Sequence, residues 1–240
     1  MIDLFKLGII LSDTSRSRAY LQTLINKKIV PKIIVIMVNS NQSLIGKPKR
    51  MIQTPFIELK YNNDQWSFNP NESIETTLNK SNLEYVKLKV DNINDPKVIP
   101  FLTNSKIDNL IYSGAGGIIL KKELFNLGIN FIHSHGGLLP KYQGSTCNYY
   151  SLIDENIIAA SVILMNEKID DGPILHVIDL KPNFDKTKID HYYDPLIRAI
   201  ALVKAFEINP TFTALEKKNT FKKSMYYVIH PVLKHIAILK

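Results

Sequence analysis

Near-continuous apolar runs that alternate with helically patterned segments constrain the fold of this chain more than any other feature. The run FKLGIILS at residues 5–12 suits a strand that is buried on both faces of a parallel sheet. A polar segment with several helix N-cap candidates follows, and residues 20–25 carry apolar side chains at helical spacing. The run PKIIVIMVN at residues 31–39 predicts the next strand. This order predicts an α/β fold with a doubly wound, mostly parallel sheet.

Two polar strand ends stand out in residues 130–175. An apolar run ending at Ile132 leads into His133 and His135, and side chains two residues apart on a strand point to the same side. A second apolar run at residues 160–165 leads into a turn that contains Asp170. A parallel sheet could bring this carboxylate near the two imidazoles, because open α/β sheets build active sites where strand ends converge.

The same stretch joins two separated motifs. The first is His-x-x-Leu-Leu-Pro followed by Tyr-x-Gly, and the second, after an intervening strand, is Asp-x-Gly-x-Ile-Leu. Their order and spacing resemble the formyltransferase family that uses 10-formyltetrahydrofolate, which includes glycinamide ribonucleotide formyltransferase, the catalytic domain of methionyl-tRNA formyltransferase and the sugar N-formyltransferases. The matching residues are His135, Leu138, Leu139, Pro140, Tyr142, Gly144, Asp170 and Gly172.

The resemblance implies a Rossmann-like formyltransferase fold and a catalytic site. His135 occupies the position of the family's catalytic histidine, and Asp170 that of its aspartate. The family usually has an asparagine where this chain has His133. An imidazole N–H can donate to a developing oxyanion as an amide N–H does, so we expect an active enzyme in which His133 is the second donor.

The resemblance also implies binding residues. We expect 10-formyltetrahydrofolate as cosubstrate. By resemblance, residues 118–120 occupy the place of the family segment whose backbone contacts the pterin of the folate. The same residues are equally readable as core residues at a helix start. Arg16 lies in a first loop that holds a phosphate in the glycinamide enzyme, and here it either meets a phosphate or is simply solvated. The expected cosubstrate-binding residues are Ile118, Ile119, Leu120, Leu139 and Asp170, and the expected acceptor-binding residues are Arg16, Tyr142 and Gly144.

The acceptor is inferred by exclusion. The first loop lacks the glycines of the glycinamide enzyme, and the most periodic part of residues 181–240 is helical, unlike the β-barrel of the tRNA enzyme. We therefore expect a catalytic domain at residues 1–180 with a short C-terminal helical extension at 181–240 packed on it. The expected acceptor is a small-molecule amine, a nucleotide-linked amino sugar. The alternatives are glycinamide ribonucleotide or another amine, a hydrolase of the same folate, and a folate-binding protein without turnover.

A metal site is a further alternative, since His133, His135 and Asp170 could form a two-histidine, one-carboxylate set. The surrounding motifs favour formyl transfer, so no metal is expected.

Composition sets the remaining expectations. The chain is 45% apolar and 22% charged, as in ordinary globular proteins. No apolar run approaches a membrane span, no signal peptide is recognisable, and the single cysteine, Cys147, suits a reducing compartment, so we expect a cytoplasmic protein without membrane contact. The net charge of +8 is scattered apart from clusters at residues 47–50 and 217–223, so no nucleic acid is expected. The apolar segment at residues 225–233 could serve as a homodimer interface.

Overall fold

The computed structural model describes residues 6–38, 57–209 and 224–240. The chain divides into two units, Met1–Ile132 and His133–Lys240. The predicted basic clusters at residues 47–50 and 217–223 lie outside the described residues, as do all of residues 40–56 and the ends of two predicted strands. The predicted domain boundary at residue 180 stays a prediction.

Unit 1 is built on a parallel sheet. Its strand order is β7-β6-β1-β2-β5, and each neighbouring pair is parallel. All five residues of β1 are buried, which explains the uninterrupted apolar run that predicted it. The strands of this unit are β1 Leu7–Leu11, β2 Ile33–Val38, β3 Leu59–Tyr61, β4 Asp64–Trp66, β5 Val86–Lys89, β6 Asn109–Ser113 and the first half of β7 Asn130–His135, where β3 and β4 form a separate hairpin.

The helices of unit 1 connect these strands. The first of them begins after Thr14, whose Oγ1 accepts a hydrogen bond from the backbone N–H of Ser17 (3.2 Å). This is the N-cap chemistry that the polar segment after β1 predicts. The helices are α1 Ser15–Asn26, α2 Ile74–Lys80, α3 Val98–Ser105 and the single turn α4 Lys122–Phe125.

Unit 2 contains the second half of β7 and a hairpin. Its strand order is β10-β9-β7, with β10 antiparallel to β9. The long helix α6 packs against both β9 and β10 and buries the apolar stripe that its spacing predicts. The elements of this unit are β8 Tyr142–Gly144, α5 Cys147–Glu155, β9 Ile158–Leu164, β10 Ile174–Leu180, α6 Asp194–Ile208, β11 Ser224–Tyr226 and α7 Pro231–Leu239.

The dipeptide Asp194-Pro195 predicts a helix that starts with Asp194 as N-cap and Pro195 at N1, but α6 begins differently. A π-helical turn, Ile189–Tyr193, precedes the helix, and Asp194 is its first residue. The carboxylate of Asp194 instead pairs with Arg198 one turn on (Nε–Oδ2 2.8 Å) and accepts from Asn148 Nδ2 (2.7 Å). Because the π-helical turn continues the helix upstream of Asp194, this residue does not lie at the N-cap position, and its carboxylate binds these two side chains instead.

The end of the chain is docked. β11 pairs in parallel with β8, and α7 begins after His230, whose Nδ1 accepts from the backbone N–H of Val232 (3.3 Å). The α/β class, the mostly parallel sheet and the short C-terminal helix are thus confirmed. Among residues 6–38, 57–209 and 224–240, no helix combines the length and apolar character needed to cross a membrane.

Candidate active site

His135 and Asp170 form an ion pair in unit 2. His135 is the last residue of β7 and is only 4% exposed, and its Nδ1 lies 3.3 Å from Oδ2 of Asp170. Asp170 lies in the connection between β9 and β10, at a φ of 50°. This connection follows the end of β9, which neighbours β7 in the sheet, and it leads into β10, which is antiparallel to β9.

The segment that forms β8 holds Asp170 in place. The backbone N–H of Gly144 donates to Oδ2 of Asp170 (2.9 Å), and Nε2 of Gln143 donates to the Asp170 carbonyl (3.1 Å). The carboxylate and the main chain of Asp170 are therefore both fixed by two consecutive residues. Gln143 was not singled out from the sequence, although it lies inside the Tyr-x-Gly motif.

The second ring nitrogen of His135 also faces an acceptor. Its Nε2 lies 2.9 Å from the carbonyl oxygen of Tyr142. A carbonyl and a carboxylate can only accept, so a neutral imidazole would direct a lone pair at one of them, whereas an imidazolium satisfies both. The surroundings of the ring thus favour its protonated form.

The electrostatics of the pair agree with this geometry. Burial alone lowers the pKa of His135, but hydrogen bonds with Asp170 and Cys147, together with the charge of the Asp170 carboxylate, raise that pKa to about 10. Burial alone raises the pKa of Asp170, but the hydrogen bond and charge of His135 outweigh it, with a further contribution from His133, and leave the pKa lowered. The structure thus brings His135 and Asp170 into contact, and the charge of His133 acts on the same carboxylate.

The turn after β7 is held by a serine. Oγ of Ser161, in the middle of β9, donates to the Gly137 carbonyl (2.7 Å) and accepts from the backbone N–H of Leu139 (3.0 Å). Ser161 is fully buried, and it was not identified from the sequence. The available signal was a lone hydroxyl inside an otherwise apolar strand. The bond between Leu139 and Pro140 in this turn is cis.

Gly137 is required beside the histidine. A Cβ atom at this position would lie 2.7 Å from Nε2 of His135, 2.7 Å from Cβ of Cys147 and 3.0 Å from the carbonyl oxygen of Tyr142. Contacts this short do not occur between well-packed atoms, so the absence of a side chain allows the ring, the thiol and the β8 carbonyl to meet.

The remaining predicted residues of unit 2 surround this pair. Leu139 is buried in a small apolar cluster with Ile163 and Ile174. Tyr142 is fully buried, and its hydroxyl donates to carboxylates at the end of α5, Asp154 (3.1 Å) and Glu155 (2.7 Å). At Tyr142 it is therefore the main chain, and not the side chain, that faces the histidine.

The predicted binding residues of unit 1 are Arg16 and the segment 118–120, and both make hydrogen bonds within that unit. Arg16 donates from Nε to Oγ of Ser113 (3.2 Å) and from Nη2 to the Gly114 carbonyl (2.5 Å). In the segment 118–120, Ile119 is 59% exposed and Leu120 is buried. The amide of Asn94 ties this segment down, since it donates to the Ile119 carbonyl (2.9 Å) and accepts from the backbone N–H that follows Leu120 (2.8 Å).

A metal-binding cluster was the alternative use of the two histidines and the aspartate. Within the part of the chain that the structure describes, no group of three or more histidine, cysteine, aspartate or glutamate side chains is arranged to hold a metal ion.

Comparison with known proteins gives matches in sequence and in fold. No family model matches the chain. It is 26% identical over 155 residues to a methionyl-tRNA formyltransferase of Finegoldia magna, which covers 64% of this chain and 47% of that protein, so the chain spans about half the length of this curated relative.

Solved structures share the fold. A sugar N-formyltransferase from a Shewanella species matches with a TM-score of 0.57 and 15% identity, over 98% of this chain and 87% of that one. An N-formyltransferase from Helicobacter canadensis, in complex with folinic acid and dTDP-3-aminofucose, matches with a TM-score of 0.56 and 16% identity, over 95% and 71%. The sequence match and the shared fold support the resemblance that the two motifs indicate: the chain is similar to formyltransferases in sequence and in fold.

Proposed function

We propose that the protein transfers a formyl group from 10-formyltetrahydrofolate to a primary amine. The observation that carries the proposal is the buried His135–Asp170 pair, held by the backbone of β8. A buried imidazole with a raised pKa keeps its proton at neutral pH, and a formyl transfer needs such a proton donor.

The chemistry begins with attack by the neutral amine on the formyl carbon. The carbonyl oxygen becomes an oxyanion in the tetrahedral intermediate, and the C–N10 bond then breaks as N10 takes up a proton. His135 is the proposed donor to the oxyanion and the proposed proton source for N10. The amine nitrogen, cationic after the attack, loses a proton as it becomes the amide nitrogen, and this proton restores the His135 imidazolium. Donors aimed at such an oxyanion are each worth about 3–4 kcal/mol in acyl transfer.

The proposed reaction requires one N–H of His135 to exchange its partner. The Nδ1 side is an ion pair with Asp170, whereas the Nε2 side faces the neutral carbonyl of Tyr142. Charge-assisted hydrogen bonds are roughly twice as strong as neutral ones, so the Nε2 contact is the cheaper one to exchange. We therefore assign the contact with the substrate to Nε2, and the orientation and charge balance of the ring to Asp170.

His133 is the proposed second donor. It lies on the same strand, is half-buried, and its charge contributes to the lowered pKa of Asp170. An imidazole N–H in place of an amide N–H keeps a donor near the developing oxyanion.

The proposed cosubstrate-binding residues of unit 2 are Leu139 and Asp170, and those of unit 1 form the segment 118–120. The exposed side chain of Ile119 offers an apolar surface for a flat ring, and Asn94 fixes the main chain on both sides of Leu120. In unit 2 the proposed acceptor-binding residues are Tyr142 and Gly144, and Tyr142 would bind through its main chain because its ring is buried. In unit 1 the proposed acceptor-binding residue is Arg16.

The proposed acceptor is a nucleotide-linked amino sugar. Two of the matching structures are a sugar N-formyltransferase and an N-formyltransferase with a bound dTDP-amino sugar, and the first of them is matched over 87% of its length. Glycinamide ribonucleotide is the alternative acceptor. A homodimer through the apolar C-terminal segment also remains a proposal, which the exposed side chains of Val228 and Val232 support.

The test is a mass-spectrometric screen with 10-formyltetrahydrofolate. The panel holds dTDP- and UDP-linked amino sugars, glycinamide ribonucleotide and methionyl-tRNA, and formate release is followed in parallel. We expect a mass gain of one formyl group on one amino sugar, lost in His135→Gln and Asp170→Asn and kept in His235→Gln, whose histidine is exposed on α7. Formate release without an acceptor would show that the protein is a hydrolase. If neither a formylated amine nor formate forms, the proposal is wrong.

A further inference from the structure

The C-terminal strand of unit 2 is bonded directly to the segment that holds the ion pair. β11 runs parallel to β8 in the register Ser224–Tyr142, Met225–Gln143 and Tyr226–Gly144. The backbone N–H of Ser145 donates to the Tyr226 carbonyl (2.9 Å). The residues of β8 are therefore paired with a segment more than eighty positions later in the sequence.

Tyr226 makes the closest approach in this pairing. Its ring packs 4.6 Å from the ring of Tyr150 and 5.3 Å from that of Tyr142, measured between centroids. Gly144 has a φ of +102°, and a Cβ atom there would lie 2.1 Å from the Tyr226 carbonyl oxygen. The two main chains are thus pressed together at a position where only glycine fits.

The partners of Tyr226 are also the residues that hold the catalytic pair. The ring of Tyr226 packs on Tyr142, whose carbonyl faces Nε2 of His135, and its main chain approaches Gly144, whose N–H donates to Asp170. We propose that Tyr226 is a positioning residue for the His135–Asp170 pair and acts through the backbone of β8.

The physical reason is that β8 is short. It has three residues, and within the described part of unit 2 its sheet partner is β11. Loss of the Tyr226 ring removes the side-chain packing that keeps the two strands in register, so the Tyr142 carbonyl and the Gly144 amide are free to shift. A displacement of about 1 Å in a catalytic group can lower a rate about 10²-fold.

The proposal differs from a purely structural role of the C-terminal segment. A structural clamp would change the melting temperature when Tyr226 is altered, but it would leave the protonation of His135 in the folded protein unchanged. A positioning role changes that protonation, because both oxygen partners of the ring are set by β8.

The experiment compares Tyr226→Ala and the milder Tyr226→Leu with Tyr226→Phe and Tyr227→Ala in the full chain. Tyr226→Phe keeps the ring and loses the hydroxyl. Tyr227 is the matched control, because it is the next residue, its side chain is 79% exposed, and alanine preserves its backbone carbonyl, which accepts from Tyr150. The readouts are kcat and KM for the amine, the melting temperature, and the His135 titration followed by NMR.

We expect Tyr226→Ala and Tyr226→Leu to lower kcat on the order of 10- to 100-fold with a much smaller change in KM, and to move the His135 titration to lower pH. Tyr226→Phe and Tyr227→Ala should resemble the parent chain in both readouts. A loss of melting temperature with unchanged kcat and an unchanged His135 titration would overturn the proposal. The kinetic arm rests on the proposed function, but the NMR arm does not, so a chain without transferase activity still decides whether Tyr226 positions the pair.

Discussion

Gly144 donates its backbone N–H to the same oxygen of Asp170, Oδ2, that faces the ring of His135. One carboxylate oxygen therefore has a charged partner and a main-chain partner. Because the main-chain donor belongs to a strand, the carboxylate cannot rotate freely about its side-chain torsions. The orientation of His135 is thus set by the backbone of β8 and not by side-chain packing alone.

Replacement of Asp170 by asparagine tests this arrangement. An amide keeps the shape and one acceptor oxygen, but it removes the charge that balances the buried imidazolium. We expect Asp170→Asn to lower kcat about 10²-fold or more. We also expect it to lower the free energy of unfolding by about 1–3 kcal/mol, the usual cost of a buried group that loses its partner. Formyl-transfer kinetics and urea unfolding measure the two effects.

The matched control is Asp179→Asn, which removes a carboxylate from an exposed position of β10. It should leave kcat unchanged and alter the free energy of unfolding by less than about 0.5 kcal/mol. If Asp170→Asn proved as harmless as this control, the ion pair would have no role in the reaction.

The raised pKa of His135 predicts how stability depends on pH. Between the ordinary value of 6.5 and the folded value of about 10, the folded state binds a proton that the unfolded chain has lost. The free energy of unfolding should therefore be highest below pH 6.5 and fall as the pH rises through about 10. Urea unfolding at several pH values measures this, with His135→Gln as the variant in which the slope should be reduced.

The same titration should appear in the kinetics. The groups that face the ring are the Asp170 carboxylate and the Cys147 thiol, and His133 acts on the same carboxylate. If protonated His135 is the donor, the alkaline limb of kcat/KM lies near pH 10 and not near 6.5. An alkaline limb near neutrality would show that His135 reacts in its neutral form.

Gly137→Ala probes the space beside the imidazole. The new methyl group would collide with Nε2 of His135 and with Cβ of Cys147, each at 2.7 Å, so the ring must move. We expect a loss of about 10²-fold in kcat and a cost in stability of about 1–3 kcal/mol, as for overpacking in a core.

Gly128→Ala is a useful comparison for this variant. Gly128 has a φ of +72° and nothing within 4 Å of an added Cβ, so alanine there meets only backbone strain. The expected cost is about 1–2 kcal/mol of stability without a change in kcat. Equal kcat values in the two variants would mean that the position of the ring does not limit the reaction.

Local sequence features were sufficient to predict much of this protein. Near-continuous apolar runs predicted β1 and β2, because strands buried on both faces need apolar residues at every position. The spacing of His133 and His135 and the later Asp170 predicted which side chains come together. These features depend on short-range periodicity and on one motif pair.

Contacts between distant segments could not be predicted in the same way. The pairing of β11 with β8 depends on register between segments more than eighty positions apart, and a three-residue strand carries little periodic signal. The contact between the Tyr142 carbonyl and His135 could not be predicted from residue type, because every residue has a backbone carbonyl. Asp194 was wrongly expected to be an N-cap, because a π-helical turn extends the helix in front of it.

Ser161→Ala tests whether the turn after β7 must be held from β9. Its hydroxyl serves the Gly137 carbonyl and the Leu139 amide, and both groups lose their partner in the variant. We expect a loss of about 1–3 kcal/mol in the free energy of unfolding, because buried polar groups without partners are costly. We also expect a fall in kcat, since Gly137 lies against the ring of His135.

Ser151→Ala separates these two effects. Ser151 is also fully buried, and its hydroxyl donates to main-chain carbonyls at Asn148 (3.2 Å) and Ile157 (2.9 Å), near the end of α5. Its loss should cost a similar amount of stability and leave kcat within about twofold of the parent, because its partners do not contact the catalytic pair. A parallel fall of kcat in both variants would mean that general loosening of the unit, and not the turn at Gly137, limits the rate.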